Sequence, residues 1–300
     1  RREFRGSIVR LTEGVAYEVK AVITEGETGR PLKEGVAAFQ TLSSYVPIAR
    51  TARLGELLKD GPPIITLRGE PDGWVEIVGD DPLTAPEEPM PETQHAALLL
   101  QGSRFLILRD VVVRGGNRHG ILLDDCEDVR LINCDISGFG RRGTQDLSKD
   151  GKYYLPDGRT YINNDAGIFI RDSGRVLVER CWIHDPRVKA NPWRYSHPAG
   201  PHAVFPCRVR GEIVLRYNDF IGGDDLRWND AVEGWSNQSP RGALFRDSDV
   251  YGNLFAFAND DGIELDGGQM NVRVFDNRFE HSLMAVSTDP CVLGPSYVFS

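Results

Sequence analysis

The sequence predicts an all-β solenoid, a coil of short parallel strands stacked along one axis, and three observations carry that expectation. A frame recurs through the second half: a small residue, two or three apolar residues, a polar turn, a second apolar strand, then Cys or Asn before another apolar position. It reads Gly120-Ile-Leu-Leu with Cys134-Asp-Ile136, Gly167-Ile-Phe-Ile with Cys181-Trp-Ile183, and Ala203-Val-Phe-Pro with Asn218-Asp-Phe220. It continues as Ala231-Val-Glu-Gly with Asn253-Leu-Phe255, then Gly262-Ile-Glu-Leu with Asn277-Arg-Phe279. The uninterrupted spacing is 23 residues, from Ala97 to Gly120 and from Gly262 to Ala285, too short a period for a helix pair. The strands are rich in Val, Ile, Leu and Phe, with Gly, Asp and Asn between them.

In such a stack each residue lies about 4.8 Å above its equivalent in the previous coil, so sequence columns become ladders in space. The column Val111, Cys134, Cys181, Asn218, Asn253, Asn277 places amides at a tight bend, where they can hydrogen-bond along the stack. It resembles the asparagine ladder of right-handed, single-stranded parallel β-helices of the pectate-lyase-like carbohydrate-active proteins. The resemblance covers roughly residues 97–300 and implies that fold.

Residues 1–95 fit the repeat poorly and are expected to form an N-terminal cap with the first irregular coils, because an open solenoid end exposes a sheet edge. Strands are expected at 7–11, 16–23, 64–67 and 74–78, a short helix at 54–59, and a proline-rich loop at 81–91. Regular coils are expected over 96–300, all in one continuous domain. The chain opens on Arg1 and closes on Tyr297-Val-Phe-Ser300 within a strand-like pattern, so both ends read as cut from a longer precursor, or as having a further chain or partner over the last coil.

Three hundred residues with 40% hydrophobic content support a large core. A net charge of -9 argues against nucleic acid, whose phosphates need a basic surface. No apolar run approaches the ~20 residues of a membrane span. The resemblance implies a secreted or periplasmic protein that acts on a polysaccharide or oligosaccharide. The five cysteines contain no CxxC pair, which speaks against zinc, and Cys134 and Cys181 read as buried thiols rather than a disulfide.

Insertions at about 138–164, 184–201, 221–229 and 235–247 flank one strand ladder and should wall a cleft over it. They carry Trp193, Tyr195, Trp228 and Trp235, whose flat faces suit sugar rings. The third position of that strand reads Leu122, Phe169, Phe205, Glu233, Glu264, Ser287, and alternation places it outside. Just before the strand stand His119, Ala166, His202, Asp230, Asp261 and Met284, preceded by Asn229 and Asp260 in the acidic coils. An unpaired buried carboxylate is costly, so Asp230 and Asp261 are expected to face out at the turn. Asp230, Glu233, Asp260, Asp261 and Glu264 then form one cluster, with His202 a coil earlier and Asp266 at its edge.

Stacked carboxylates raise one another's pKa, which suits the acid and base of glycoside hydrolysis. Asn229-Asp230 followed by Asp260-Asp261 is similar to the polygalacturonase-type glycosidase pattern. That resemblance implies Asp230 and Asp261 as the reacting pair, with Asp260 supporting. Glu233 and Glu264 would shape the site, and His202, Trp193, Tyr195, Trp228, Trp235, Arg227 and Arg246 would hold substrate. A hydrolase of this kind needs no cofactor. The competing chemistry is a Ca²⁺-dependent polysaccharide lyase, with the acids as oxygen ligands and an arginine as base. A third reading is a glycan-binding or adhesion β-helix without catalysis.

Overall fold

A computed structural model of the chain describes residue 8 and residues 11–59, 62–85 and 95–300. The chain divides at Pro47/Ile48 into two compact units. In the smaller, Ala16–Thr24 pairs antiparallel with Pro31–Gln40 as a hairpin. The strand expected at 7–11 and the loop expected at 81–91 fall largely outside the described residues.

From Ile48 onward the chain is a parallel β-helix of three sheets. The first sheet stacks Ile64–Ile65, Ala96–Gln101, His119–Asp124, Asp165–Arg171 and Pro201–Cys207. The second runs through nine strands from Ile48–Arg53 to Ser296–Phe299. The third runs through seven from Leu83–Thr84 to Arg278–Glu280. The short helix Leu54–Leu58 lies where the sequence predicts one.

Register follows the repeat. Leu98, Ile121, Ile168 and Val204 are partners in successive strands, and single bridges continue the column through Val232 to Ile263. All six side chains are buried in the core, the dominant source of stability in such a coil. The small-residue column has a steric cause: a Cβ at Gly120 or Gly167 would run into Ile136 or Ile183 of the third sheet.

The bend before the third sheet repeats one device in six coils. Asp110, Asn133, Arg180, Tyr217, Gly252 and Asp276 all adopt positive φ, which turns the backbone sharply. After the last four of these, the next residue points inward and accepts a backbone N–H from the coil before it. Asn218 accepts from Cys181 at 2.9 Å, Asn253 from Asn218 at 2.9 Å and Asn277 from Asn253 at 3.0 Å. Cys181 takes the same place for Cys134, its sulfur 3.5 Å from the Cys134 nitrogen, so the thiols continue the ladder and both cysteines are free.

One expectation of the outer face is corrected. Leu122, Phe169 and Phe205 do point out of the first sheet, but with Leu99 and Cys207 they form a second buried apolar cluster. Open polar surface on this ladder begins only at Glu233. Among the described residues no helix is long and apolar enough to cross a membrane.

Candidate functional site

Regular pairing of the first sheet lapses at residues 228–234. Val232 keeps only single bridges to Val204 and Ile263, and the sheet resumes as Asp261–Glu264 paired with Met284–Ser287. The acidic cluster occupies this lapse. Several buried polar atoms without a partner gather there as well: His202 Nε2, Trp228 Nε1, Asn229 Oδ1 and Asp261 Oδ1. Such groups are rare in native interiors, and their concentration marks a place where the fold serves something other than its own stability.

The structure brings Asp230, Glu233, Asp260, Asp261, Glu264 and Asp266 together with His202, as the columns predict. Asp230 and Asp261 do not face solvent, contrary to expectation: they are 3% and 5% exposed. Asp230 Oδ1 accepts the Asp261 N–H at 2.9 Å, so it takes the part of a ladder residue and its burial is compensated by a backbone bond. Glu233 and Glu264 are the carboxyls that reach the surface, each part-buried.

Around them, His202 Nδ1 donates to the Asp230 carbonyl at 2.9 Å, and its Nε2 lies 3.2 Å from Glu233 Oε2. Asn229 Nδ2 donates to the same Glu233 oxygen at 3.2 Å. Asn237 Nδ2 donates to Glu264 Oε1 and, at 3.2 Å, to Asp266 Oδ2. Trp193 Nε1 donates to Asp260 Oδ1 at 3.2 Å, and His197 Nε2 lies 3.7 Å from Asp260 Oδ2. Sequence reasoning named neither His197 nor Asn237. Each sits in an insertion beside an aromatic that was named, Trp193 and Trp235, and that proximity was the available signal.

Trp193, Tyr195 and Trp235 present exposed faces, as a wall requires. Trp228 does not: it is fully buried and stacks on Phe139 with ring centroids 6.2 Å apart. Arg227 is engaged by Asp224, the His281 carbonyl and the Phe257 ring. Arg246 bonds to the Arg210 carbonyl at the start of a second-sheet strand and lies over Phe245. Neither arginine contacts the acids, because each has nearer partners in its own loop or sheet.

Burial pushes every shifted carboxyl of the cluster upward, and neighbouring charges add to it. Glu233 rises to about 7 through burial, although hydrogen bonds from its neighbours oppose the shift. Asp261 rises to about 7 through burial and then the charges of Asp260 and Asp266. Glu264 rises to about 10 through burial and the charge of Glu233. Asp230 is held well above the carboxylate range by burial, Glu233 and Glu264. Burial lowers His202 to about 3, so its imidazole is neutral.

A sign for stability follows. Below ~4, where an unfolded carboxyl is already protonated, the folded cluster contributes its full share. As pH rises, the unfolded chain ionises while the folded carboxyls hold their protons, so stability falls through about 7, the folded value of Glu233 and Asp261. Thermal melts of the metal-free protein should therefore drop by several degrees across that window, and Glu233→Gln should flatten the drop. A midpoint that rises across the same window would contradict this assignment.

Two sets of ligand atoms lie close enough to share one cation: His202, Asp230 and Glu233, and Asp230, Asp260 and Asp261, each set within 4.8 Å.

Residues 96–188 match the family described as right handed beta helix region. No curated protein matches the sequence. Among solved structures, the chain is similar to the A-module of the mannuronan C-5 epimerase AlgE4 of Azotobacter vinelandii, at 16% identity and a TM-score of 0.37. That likeness covers 80% of this chain and 66% of the other, and at this level it assigns neither reaction nor substrate.

Proposed function

We propose that this right-handed parallel β-helix is a carbohydrate-active enzyme that cleaves glycosidic bonds of an extracellular or periplasmic polysaccharide by carboxylate acid/base chemistry. The observation that carries the reading is the convergence of six carboxyls on adjacent coils, two of them reaching the surface and a third, Asp260, bonded to the half-exposed ring of Trp193. Glu264, neutral at ordinary pH, donates the proton to the leaving oxygen. A second carboxylate, Asp261 or Glu233, attacks the sugar or activates water. The tryptophan and tyrosine faces cover the apolar side of the sugar ring.

Elimination by a basic side chain is disfavoured here. Among the described residues, no lysine or arginine pairs with any of the six carboxyls, and Arg208, Arg227, Arg241 and Arg246 each have partners elsewhere. The test is product analysis with neutral and uronate polysaccharides. New reducing ends without ultraviolet-absorbing unsaturated sugar are expected. Unsaturated uronate would establish a lyase, and retention on a glycan array without product would establish a binding module.

A further inference from the structure

The His202 side chain is fully buried, and its tautomer can be deduced. Nδ1 faces the Asp230 carbonyl at 2.9 Å, and a carbonyl only accepts, so Nδ1 carries the hydrogen and Nε2 carries a lone pair. Among the described residues no hydrogen-bond donor reaches Nε2. What lies 3.2 Å away is Glu233 Oε2, another lone-pair bearer, with the Asp230 carboxylate inside the same small space. Two acceptors confronting one another in a dry interior repel unless something positive stands between them.

The neighbouring coils show how this fold otherwise neutralises a buried acid at this corner. Asp165, in the column of Asn229 and Asp260 one position before that of Asp230, is fully buried and is met by Arg141 at 2.8 Å and Arg118 at 3.3 Å. At Asp230 and Glu233 no such cation is supplied by the described residues.

We propose that His202 Nε2, Asp230 and Glu233 bind a first-row divalent transition-metal ion such as Zn²⁺ or Mn²⁺. Two ligands each about 2.0–2.1 Å from a tetrahedral zinc stand about 3.3 Å apart, close to the separation of His202 Nε2 and Glu233 Oε2. A ligating histidine commonly donates its other N–H to a backbone carbonyl, which fixes the ring, and His202 does so. The imidazole nitrogen selects against Ca²⁺ and Mg²⁺, which prefer oxygen shells. The site shares its location with the proposed active centre but not its reaction. It takes up Glu233 and leaves Glu264 and Asp261 for proton transfer.

The test is calorimetric titration of chelator-treated, dialysed protein with Zn²⁺, Mn²⁺ and Ca²⁺ separately. One equivalent of Zn²⁺ or Mn²⁺ should bind, Ca²⁺ should not compete, and Glu233→Gln should weaken binding by more than about 100-fold, since even second-shell losses cost about 10–100-fold. Glu264→Gln should leave metal affinity unchanged while turnover is lost, which separates this inference from the proposed reaction. Should Glu233→Gln fail to fold, crystals of the unmodified protein soaked in Zn²⁺ should show an anomalous peak between His202 and Glu233. Absence of both binding and peak, full affinity in a folded Glu233→Gln, or binding of Ca²⁺ alone would overturn the proposal and leave a shared proton between Glu233 and its neighbours.

Discussion

Glu264→Gln is expected to lower turnover by about 10²–10⁴-fold, the usual contribution of a positioned general acid. The amide keeps the shape of the side chain and an oxygen to accept from Asn237, but it has no acidic proton for a leaving group. Glu264 is part-buried in a strand whose backbone bonds are unaffected, so the melting temperature should move little. Loss of rate with retained fold is therefore the signature. A substrate with a leaving group that needs no protonation should recover much of the lost rate, because only the acid's role has been removed. If Glu264→Gln turned over natural substrate at the normal rate, the proton would have to come from elsewhere in the cluster, and the assignment of the surface pair would fail.

Trp228→Ala is expected to destabilise the fold by about 3–5 kcal/mol, the range for removing a large buried aromatic. The ring is fully buried, stacks on Phe139 and stands where the backbone bridges to Ala258, so truncation empties a core volume between coils. Trp193→Ala provides the contrast. Its ring is 45% exposed, bonds through Nε1 to Asp260 and packs against the His197 ring, so its loss should weaken substrate binding with a small change in stability. Denaturant melts and binding measurements on the two variants check both statements. Equal stability losses would place Trp193 in the structural role as well.

Much of the solenoid was legible because stacking makes neighbours of residues one period apart. The inward column from Leu98 to Ile263 and the bend column from Cys134 to Asn277 are both found in register. The convergence of His202 with the acids of the next two coils follows from the same rule, and those residues do meet.

Orientation at the corners and inside the insertions obeyed no such rule. At the corner the cost of an unpaired buried carboxylate predicts Asp230 outside, but it turns inward and accepts the Asp261 N–H, which leaves Glu233 and Glu264, placed outside by alternation, as the surface carboxyls. Trp193 and Trp228 both lie in insertions beside the same strand ladder, yet one bonds to Asp260 and the other stacks on Phe139 in the core. Arg227 and Arg246 were claimed by partners that no sequence column indicates. A repeating pattern specifies which residues stack, because each coil is a template for the next. Which face of an irregular segment is buried depends on loops packed from elsewhere in the chain, and only the folded molecule brings those together.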